Sequence, residues 1–175
     1  SPVVATNRNF YHRDGSVGQI LKGCRVRIQN GEIQVKGKNV MLGYYQDEAA
    51  TQDAFEGNWF RTGDLGHIDA DGFLFVTGRA KNLIILSNGE NVSPEELENL
   101  LLDYELVKEV LVYAENEAIT AEIFPNLEAP SEDMQKQLQD IIDVCNQKLP
   151  AYKRVQQLKI RQSEFPKTTT QKIKR

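Results

Sequence analysis

The apolar positions change rhythm partway along the chain. Up to about Arg79 they come in short alternating runs separated by turn residues. Val26-Arg27-Ile28 and Ile33-Gln34-Val35 each alternate apolar with polar, the period of a strand with one buried face. Asn30-Gly31 between them suits the positive φ values of a tight hairpin turn. Asp47 to Phe55 reads as a short helix with Asp47 as its N-cap. A second hairpin follows, Leu65 to Ile68 and Phe73 to Val76, about the turn Asp69-Ala70-Asp71-Gly72. Glycine is dense here, at Gly57, Gly63, Gly66, Gly72 and Gly78, which predicts a small twisted sheet or distorted barrel with tight loops.

After Arg79 the runs lengthen and take helical spacing. A short strand, Leu83 to Leu86, leads through Ser87-Asn88-Gly89-Glu90-Asn91 to an explicit helix start: Ser93 as N-cap, Pro94 in the first helical position and Glu96 to close a capping box. Two strand-like runs come next, Val107 to Tyr113 and Ile119 to Phe124. A second helix from about Ser131 carries Met134, Leu138, Ile141, Ile142, Cys145 and Leu149 on one stripe. Leu158-Lys159-Ile160 reads as a last strand. The order strand, helix, strand, strand, helix, strand predicts a compact α+β domain, with its boundary near Gly78–Lys81.

With 175 residues, 40% hydrophobic and 26% charged, the chain can bury a core, and wholesale disorder is excluded. No apolar run approaches the ~20 residues of a membrane-crossing helix. The N-terminus, Ser1-Pro2-Val3-Val4-Ala5, has neither a basic region nor an apolar segment nor a start methionine, so the chain is expected to begin partway through something larger. Cys24 and Cys145 lie far apart without a paired partner, which favours no disulfide framework and no zinc site, and points to a reducing, cytoplasmic setting.

Charge is unevenly spread. The net value is −4, yet from Lys153 to Arg175 eight basic residues face the single acid Glu164. A basic end on an acidic body has three readings: a solvated terminus, a nucleic-acid contact, or a meeting point for a polyanionic small ligand. Only Tyr152 and Phe165 could stack on bases there, so nucleic acid is not the expected partner.

Several short stretches carry candidate chemistry. In Trp59-Phe60-Arg61-Thr62-Gly63-Asp64 the aspartate suits either a local turn or the two hydroxyls of a ribose, which need a bidentate acceptor. Gly78-Arg79-Ala80-Lys81 offers an arginine for a ribose or phosphate beside a flexible link, or merely a solvated junction. Ser87 to Asn91 could be only a loop feeding a capped helix, and Pro166-Lys167-Thr168-Thr169-Thr170-Gln171-Lys172 a frayed tail.

Taken in order and spacing, these stretches lose their bland readings. Together with Gly43-Tyr44-Tyr45, Asp69-Ala70-Asp71-Gly72-Phe73 and Gly89-Glu90-Asn91-Val92-Ser93-Pro94-Glu95-Glu96, they resemble the C-terminal part of the adenylate-forming superfamily. That superfamily holds acyl-CoA synthetases, luciferases and peptide-synthetase adenylation domains. The resemblance implies an α+β architecture: residues 1–79 as a distorted β-barrel ending a large N-terminal AMP-binding domain, then 80–175 as a small mobile α+β domain. It implies two half-reactions, in which a carboxylate first joins ATP with loss of pyrophosphate and the acyl group then passes to a thiol. On the matching positions, Asp64 is expected to hold the ribose hydroxyls with Arg79 assisting, Lys81 to be the hinge, and Lys172 to bridge the reacting oxygens during adenylation. Gly89 is expected to lie on the thiol path, where the lack of a side chain lets the thiol approach.

Two departures stand out. Gln171 occupies the place before the lysine where the family usually has glycine. The family's Gly- and Ser/Thr-rich phosphate loop and its magnesium-holding Thr-Glu pair are absent. ATP and Mg2+ are therefore expected to be held mainly by an N-terminal domain that this sequence lacks, and the chain to be inert alone. The run Asn82 to Glu96 is similar to bacterial long-chain fatty acyl-CoA synthetases, so the expected partners are CoA and a carboxylic acid of the fatty-acid kind. The alternatives are an amino-acid-activating adenylation domain and a non-catalytic binding module with a basic tail.

Overall fold

Fifteen elements follow one another in a computed structural model that describes residues 3–126 and 133–175. In the first part they are β1 (Ala5–Thr6), β2 (Gly18–Ile20), β3 (Cys24–Gln29), β4 (Glu32–Gly37), α1 (Glu48–Asp53), β5 (Phe55–Glu56), β6 (Trp59–Ile68) and β7 (Phe73–Arg79). In the second they are β8 (Ile84–Ile85), β9 (Asn91–Val92), α2 (Pro94–Leu102), β10 (Val107–Glu115), β11 (Ala118–Pro125), α3 (Met134–Gln147) and β12 (Gln157–Ile160). The chain divides into two compact units, Ser1–Lys81 and Asn82–Arg175.

The first unit is an antiparallel sheet in the order β1-β2-β7-β6-β4-β3, with β5 added on β6. The alternation in β3 and β4 sets their register: Val26 faces Val35, Arg27 faces Gln34 and Ile28 faces Ile33, while Asn30 (φ 51°) and Gly31 (φ 81°) form the turn. The expected barrel is corrected here. Among the described residues the sheet stays open, with β1 and β3 at its two ends. Two- and three-residue strands at the β1–β2 end offer too little ladder to complete a closed wall. Asp47 caps α1 by accepting from the Ala50 amide at 2.9 Å, and the helix stops at Asp53 because Phe55 joins β5. β6 and β7 run longer than the sequence suggested, and a bulge at Leu65/Gly66 lies between them. Gly66 is needed there, since a Cβ would sit 2.0 Å from the Phe75 carbonyl oxygen.

In the second unit, β10 and β11 form a long hairpin and β12 adds to β11 in parallel, with α3 as the crossover. The turn between β10 and β11 uses Asn116 (φ 49°) and Glu117 (φ 64°), a left-handed pair without glycine. α3 starts at Met134 with Asp133 as its cap; the expected start near Ser131 lies outside the described residues. Leu138, Ile142, Cys145 and Leu149 from the predicted stripe join Leu97, Leu101, Val110, Val112, Ile119 and Ile123 in one buried core. Each such side chain is worth roughly 1.5–3 kcal/mol relative to exposure. Pro94 opens α2 as expected, but the cap chemistry differs. Ser93 Oγ makes no capping bond and donates instead to Glu95 Oε2, while the Glu96 carboxylate receives the Lys153 ammonium at 2.7 Å. No described helix is long and apolar enough to cross a membrane.

Candidate functional site

The candidate residues fall into two groups, one in each unit. In the first unit, Asp64 on β6 and Arg79 on β7 are direct cross-strand partners. The Arg79 guanidinium Nε lies 2.9 Å from Asp64 Oδ1, and its Nη1 donates to the Thr62 carbonyl at 3.3 Å. Thr62 also fixes the backbone: its hydroxyl donates to the Ile33 carbonyl at 2.6 Å and accepts from the Asp64 amide at 3.0 Å. Glu32 accepts from the Gly63 amide at 3.0 Å and pairs with Arg61. Asp64 is therefore a strand residue held by the ladder, and the turn reading is excluded. The pair lines a groove of about 330 Å³ with a mixed polar and apolar wall, the apolar part including Ile33, Val35, Phe60, Leu74 and Val76. An acceptor and a planar donor fork beside a groove with apolar side chains in its wall can take a sugar's hydroxyls and set a flat ring against those side chains.

Lys81 lies in a single helical turn, Ala80–Asn82, and is exposed, which suits a link and by itself shows no motion. Among the described residues no three His, Cys, Asp or Glu side chains gather as a metal cage.

In the second unit, Gly89 forms the turn between β8 and β9, donating its amide to the Leu86 carbonyl at 2.9 Å. Its φ is 84°, and nothing lies within 4 Å of where a Cβ would be. The local need for glycine is thus the left-handed backbone rather than a crowded neighbour.

Lys172 is not on a frayed tail. Residues 166–174 form a small closed turn: Thr168 donates its amide to the Lys172 carbonyl at 2.8 Å, Gln171 to the Thr168 carbonyl at 3.0 Å, and Lys174 to the Pro166 carbonyl at 2.9 Å. The Thr168 hydroxyl also accepts from the Lys172 amide at 3.2 Å, and Lys167 bridges Ile173. Gln171 has φ 61°, so it adopts the left-handed conformation that a glycine would take without cost.

Both sides of this turn are fastened to the unit. On one, Phe165 is buried, its amide donates to Glu109 at 2.8 Å, and the Lys167 ammonium lies 2.5 Å from Glu109 and 3.1 Å from Glu164. Those two carboxylates raise Lys167 above the ordinary lysine range, and Lys108 with Lys167 lowers Glu164. On the other side, Arg175 meets Glu98 at 2.6 Å. Burial pushes the Glu98 carboxyl up, against the opposing pull of the Val112 amide and Arg175. The Lys172 ammonium itself is exposed and makes no ion pair among the described residues. Sequence reading missed Glu98, Glu109 and Arg175, because their partners lie 56 to 77 residues away along the chain.

Comparison with known proteins gives the family of the chain. The model of the AMP-binding enzyme C-terminal domain matches residues 81–175. The chain belongs to the AMP-binding enzymes. A 2-succinylbenzoate–CoA ligase of Listeria innocua is 38% identical over 169 residues, covering 96% of this chain and 35% of its own length. A long-chain-fatty-acid–CoA ligase of Mycobacterium tuberculosis is 44% identical over 99 residues, covering 56% of this chain and 16% of its own. Among solved structures, the o-succinylbenzoate CoA synthetase of Bacillus subtilis in complex with its acyl-adenylate intermediate superposes with a TM-score of 0.76 at 32% identity, over 91% of this chain and 34% of that one. The chain thus spans about a third of the length of the first of these relatives.

Proposed function

We propose that the whole protein containing this chain is an AMP-forming acid–CoA ligase. The observation that carries this reading is the Asp64–Arg79 cross-strand pair lining a groove, in a chain of the AMP-binding family. In this reading Asp64 accepts from the ribose hydroxyls of ATP, and Arg79 steadies both the carboxylate and the sugar. The acid's carboxylate oxygen attacks the α-phosphorus, and pyrophosphate leaves. Negative charge gathers on the oxygens between acid and phosphate, and the Lys172 ammonium stabilises it without forming a bond of its own. Lys81 serves as the hinge for the small mobile domain beginning at 80. After the rearrangement, the thiol of CoA approaches past the Gly89 turn, attacks the acyl carbon and releases AMP. Magnesium, when bound, would neutralise the phosphates, and it would be held mainly by the N-terminal domain.

The substrate reading moves from the fatty acid expected on sequence to an aryl carboxylate of the succinylbenzoate kind. The succinylbenzoate relative aligns over 96% of the chain and the fatty-acid relative over 56%. The fatty acid remains the second reading and rests on that shorter match at 44% identity; a 2-succinylbenzoate–CoA ligase of Bacillus pumilus matches a similar share of the chain, 54%, at 48%.

The test supplies the full-length protein with ATP, magnesium and CoA, plus 2-succinylbenzoate, simple benzoates or long-chain fatty acids. AMP and an aryl thioester are the expected products. Thioester only with fatty acids restores the second reading. Adenylate from amino acids without a CoA product sinks the ligase reading, and so does inactivity throughout. Lys172→Ala is expected to slow adenylation by about 10²–10³-fold while sparing transfer from a supplied acyl-adenylate.

A further inference from the structure

We infer that Arg175 is a positioning residue for Lys172, acting through a clamp formed by Glu98 and Glu95; this rests on Lys172 being the adenylation lysine. The Arg175 guanidinium reaches three acceptors on the body of the second unit. Its Nη2 lies 2.6 Å from Glu98 Oε2 and 3.5 Å from Glu95 Oε1, both on α2, and its Nη1 donates to the Val112 carbonyl of β10 at 3.3 Å. Glu98 is itself fixed: its other carboxylate oxygen accepts from the Val112 amide at 2.7 Å, and its side chain is only 12% exposed. Glu95 is held too, by the Asn82 amide group at 2.5 Å and the Ser93 hydroxyl at 3.1 Å. The arginine therefore docks onto a rigid, preformed pair of carboxylates that straddles helix and sheet.

Arg175 follows Lys172 by three residues, roughly 10 Å of extended chain. On the other side of the turn, Phe165 is buried and Lys167 is tied to Glu109. Cutting the Arg175 tie leaves the turn fastened at one side only, free to pivot about Pro166. The hydrogen bonds inside the turn keep its shape but do not orient it on the unit. A planar fork is what three acceptors in different directions require, and a lysine would satisfy one of them at a time. Lys172 acts on developing charge, so its contribution depends on placement within about 1 Å, and losing that placement costs on the order of 100-fold in rate.

The test uses the full-length protein with two readouts. Amide hydrogen exchange is followed in a peptide covering 166–174 and in a control peptide from β10–β11. Pyrophosphate release and thioester formation from supplied acyl-adenylate are timed separately. For Arg175→Met, exchange in 166–174 is expected to rise about tenfold with the control unchanged. The adenylation kcat is expected to fall about 100-fold at nearly constant KM for ATP and acid, with acyl transfer unchanged. Arg175→Lys should recover part of both losses. Glu98→Gln, which keeps the shape and the acceptor for the Val112 amide, should reproduce the effect more weakly and serves if Arg175→Met does not fold. Unchanged exchange at 166–174, or equal loss in both half-reactions, overturns the proposal. Faster exchange with full adenylation, in a protein that Lys172→Ala inactivates, overturns the positioning role alone. Full adenylation by Lys172→Ala overturns the reading of the lysine itself, and the role of Arg175 with it.

Discussion

The first unit buries a cluster of three hydrophobic side chains, Ile33, Val35 and Leu74, whereas the second buries sixteen in one continuous core. The difference follows from layering. In the second unit α2 and α3 pack with the strands around that core, so apolar side chains are enclosed from several elements. In the first, a single sheet carries only the six-residue α1, which has no buried residue, and its apolar face opens into the groove beside Asp64. Val17 and Val76 on that groove are each 41% exposed. The two units also hold their chemistry differently. Asp64 and Arg79 are placed by ladder register, with backbone and side-chain supports on neighbouring strands of one sheet. Lys172 stands on a turn carried by ion pairs to distant parts of a well-filled core unit.

The strongest way to break this comparison is to separate the units. Residues 82–175 alone are expected to unfold in one cooperative urea transition, and residues 1–81 alone to show no such transition. A cooperative first unit would end the argument from layering. Next in size are core truncations. Leu138→Ala is expected to cost the second unit about 2–5 kcal/mol by urea denaturation, and Leu74→Ala to fall near the low end of that range, because the groove lets its surroundings relax. Equal losses would show that the first unit is as tightly packed as the second.

Acid sharpens the comparison with a smaller effect. In the first unit, burial opposes ionisation of Asp69, but the Phe73 amide and Arg13 outweigh it and hold the carboxyl below 3.8. In the second, burial likewise opposes Glu95, and Asn82, Arg175 and Ser93 outweigh it, holding it below 4.5; Lys108 and Lys167 lower Glu164. These depressed groups contribute stability above their unfolded values, and that stability is lost as pH falls through the folded ones. Glu98 has the opposite sign: its raised value favours the fold at low pH, and this contribution disappears as pH rises through it. Between pH 5 and 3 the urea midpoint should therefore drop. Glu164→Gln should make that drop shallower and Glu98→Gln steeper, and the reverse pattern would contradict the assignments. The smallest effect is expected from Gln171→Gly. Relief of a left-handed glutamine, set against glycine's entropy, should stabilise the turn by about 0.5 kcal/mol, read as slower exchange at the Thr168 amide.

Much of this was legible in the chain because it is local. The β3–β4 register follows from alternation and Asn30-Gly31, the α1 cap from Asp47, and the core stripe of α3 from its helical spacing. The barrel expectation failed because glycine density reports tight turns and says nothing of whether the end strands meet. The capping box at Ser93 gave way to side chains elsewhere, as Lys153 reaches Glu96 from 57 residues away. The tail misled for the same reason. Its composition is that of a solvated end, and nothing near it in sequence announces Glu98 or Glu109 as its anchors.

By itself, then, the sequence determined most of the longer elements and the β3–β4 register, which depend on neighbours a few residues apart, and it carries the order of motifs that marks the family; the short strands β1, β2, β5 and β9 were not legible in it. Tertiary structure alone decided that the first sheet stays open and that Lys172 stands on a clamped turn. Those outcomes depend on ion pairs and packing between segments brought together only when the core closes, and residue spacing along a chain carries no record of such meetings.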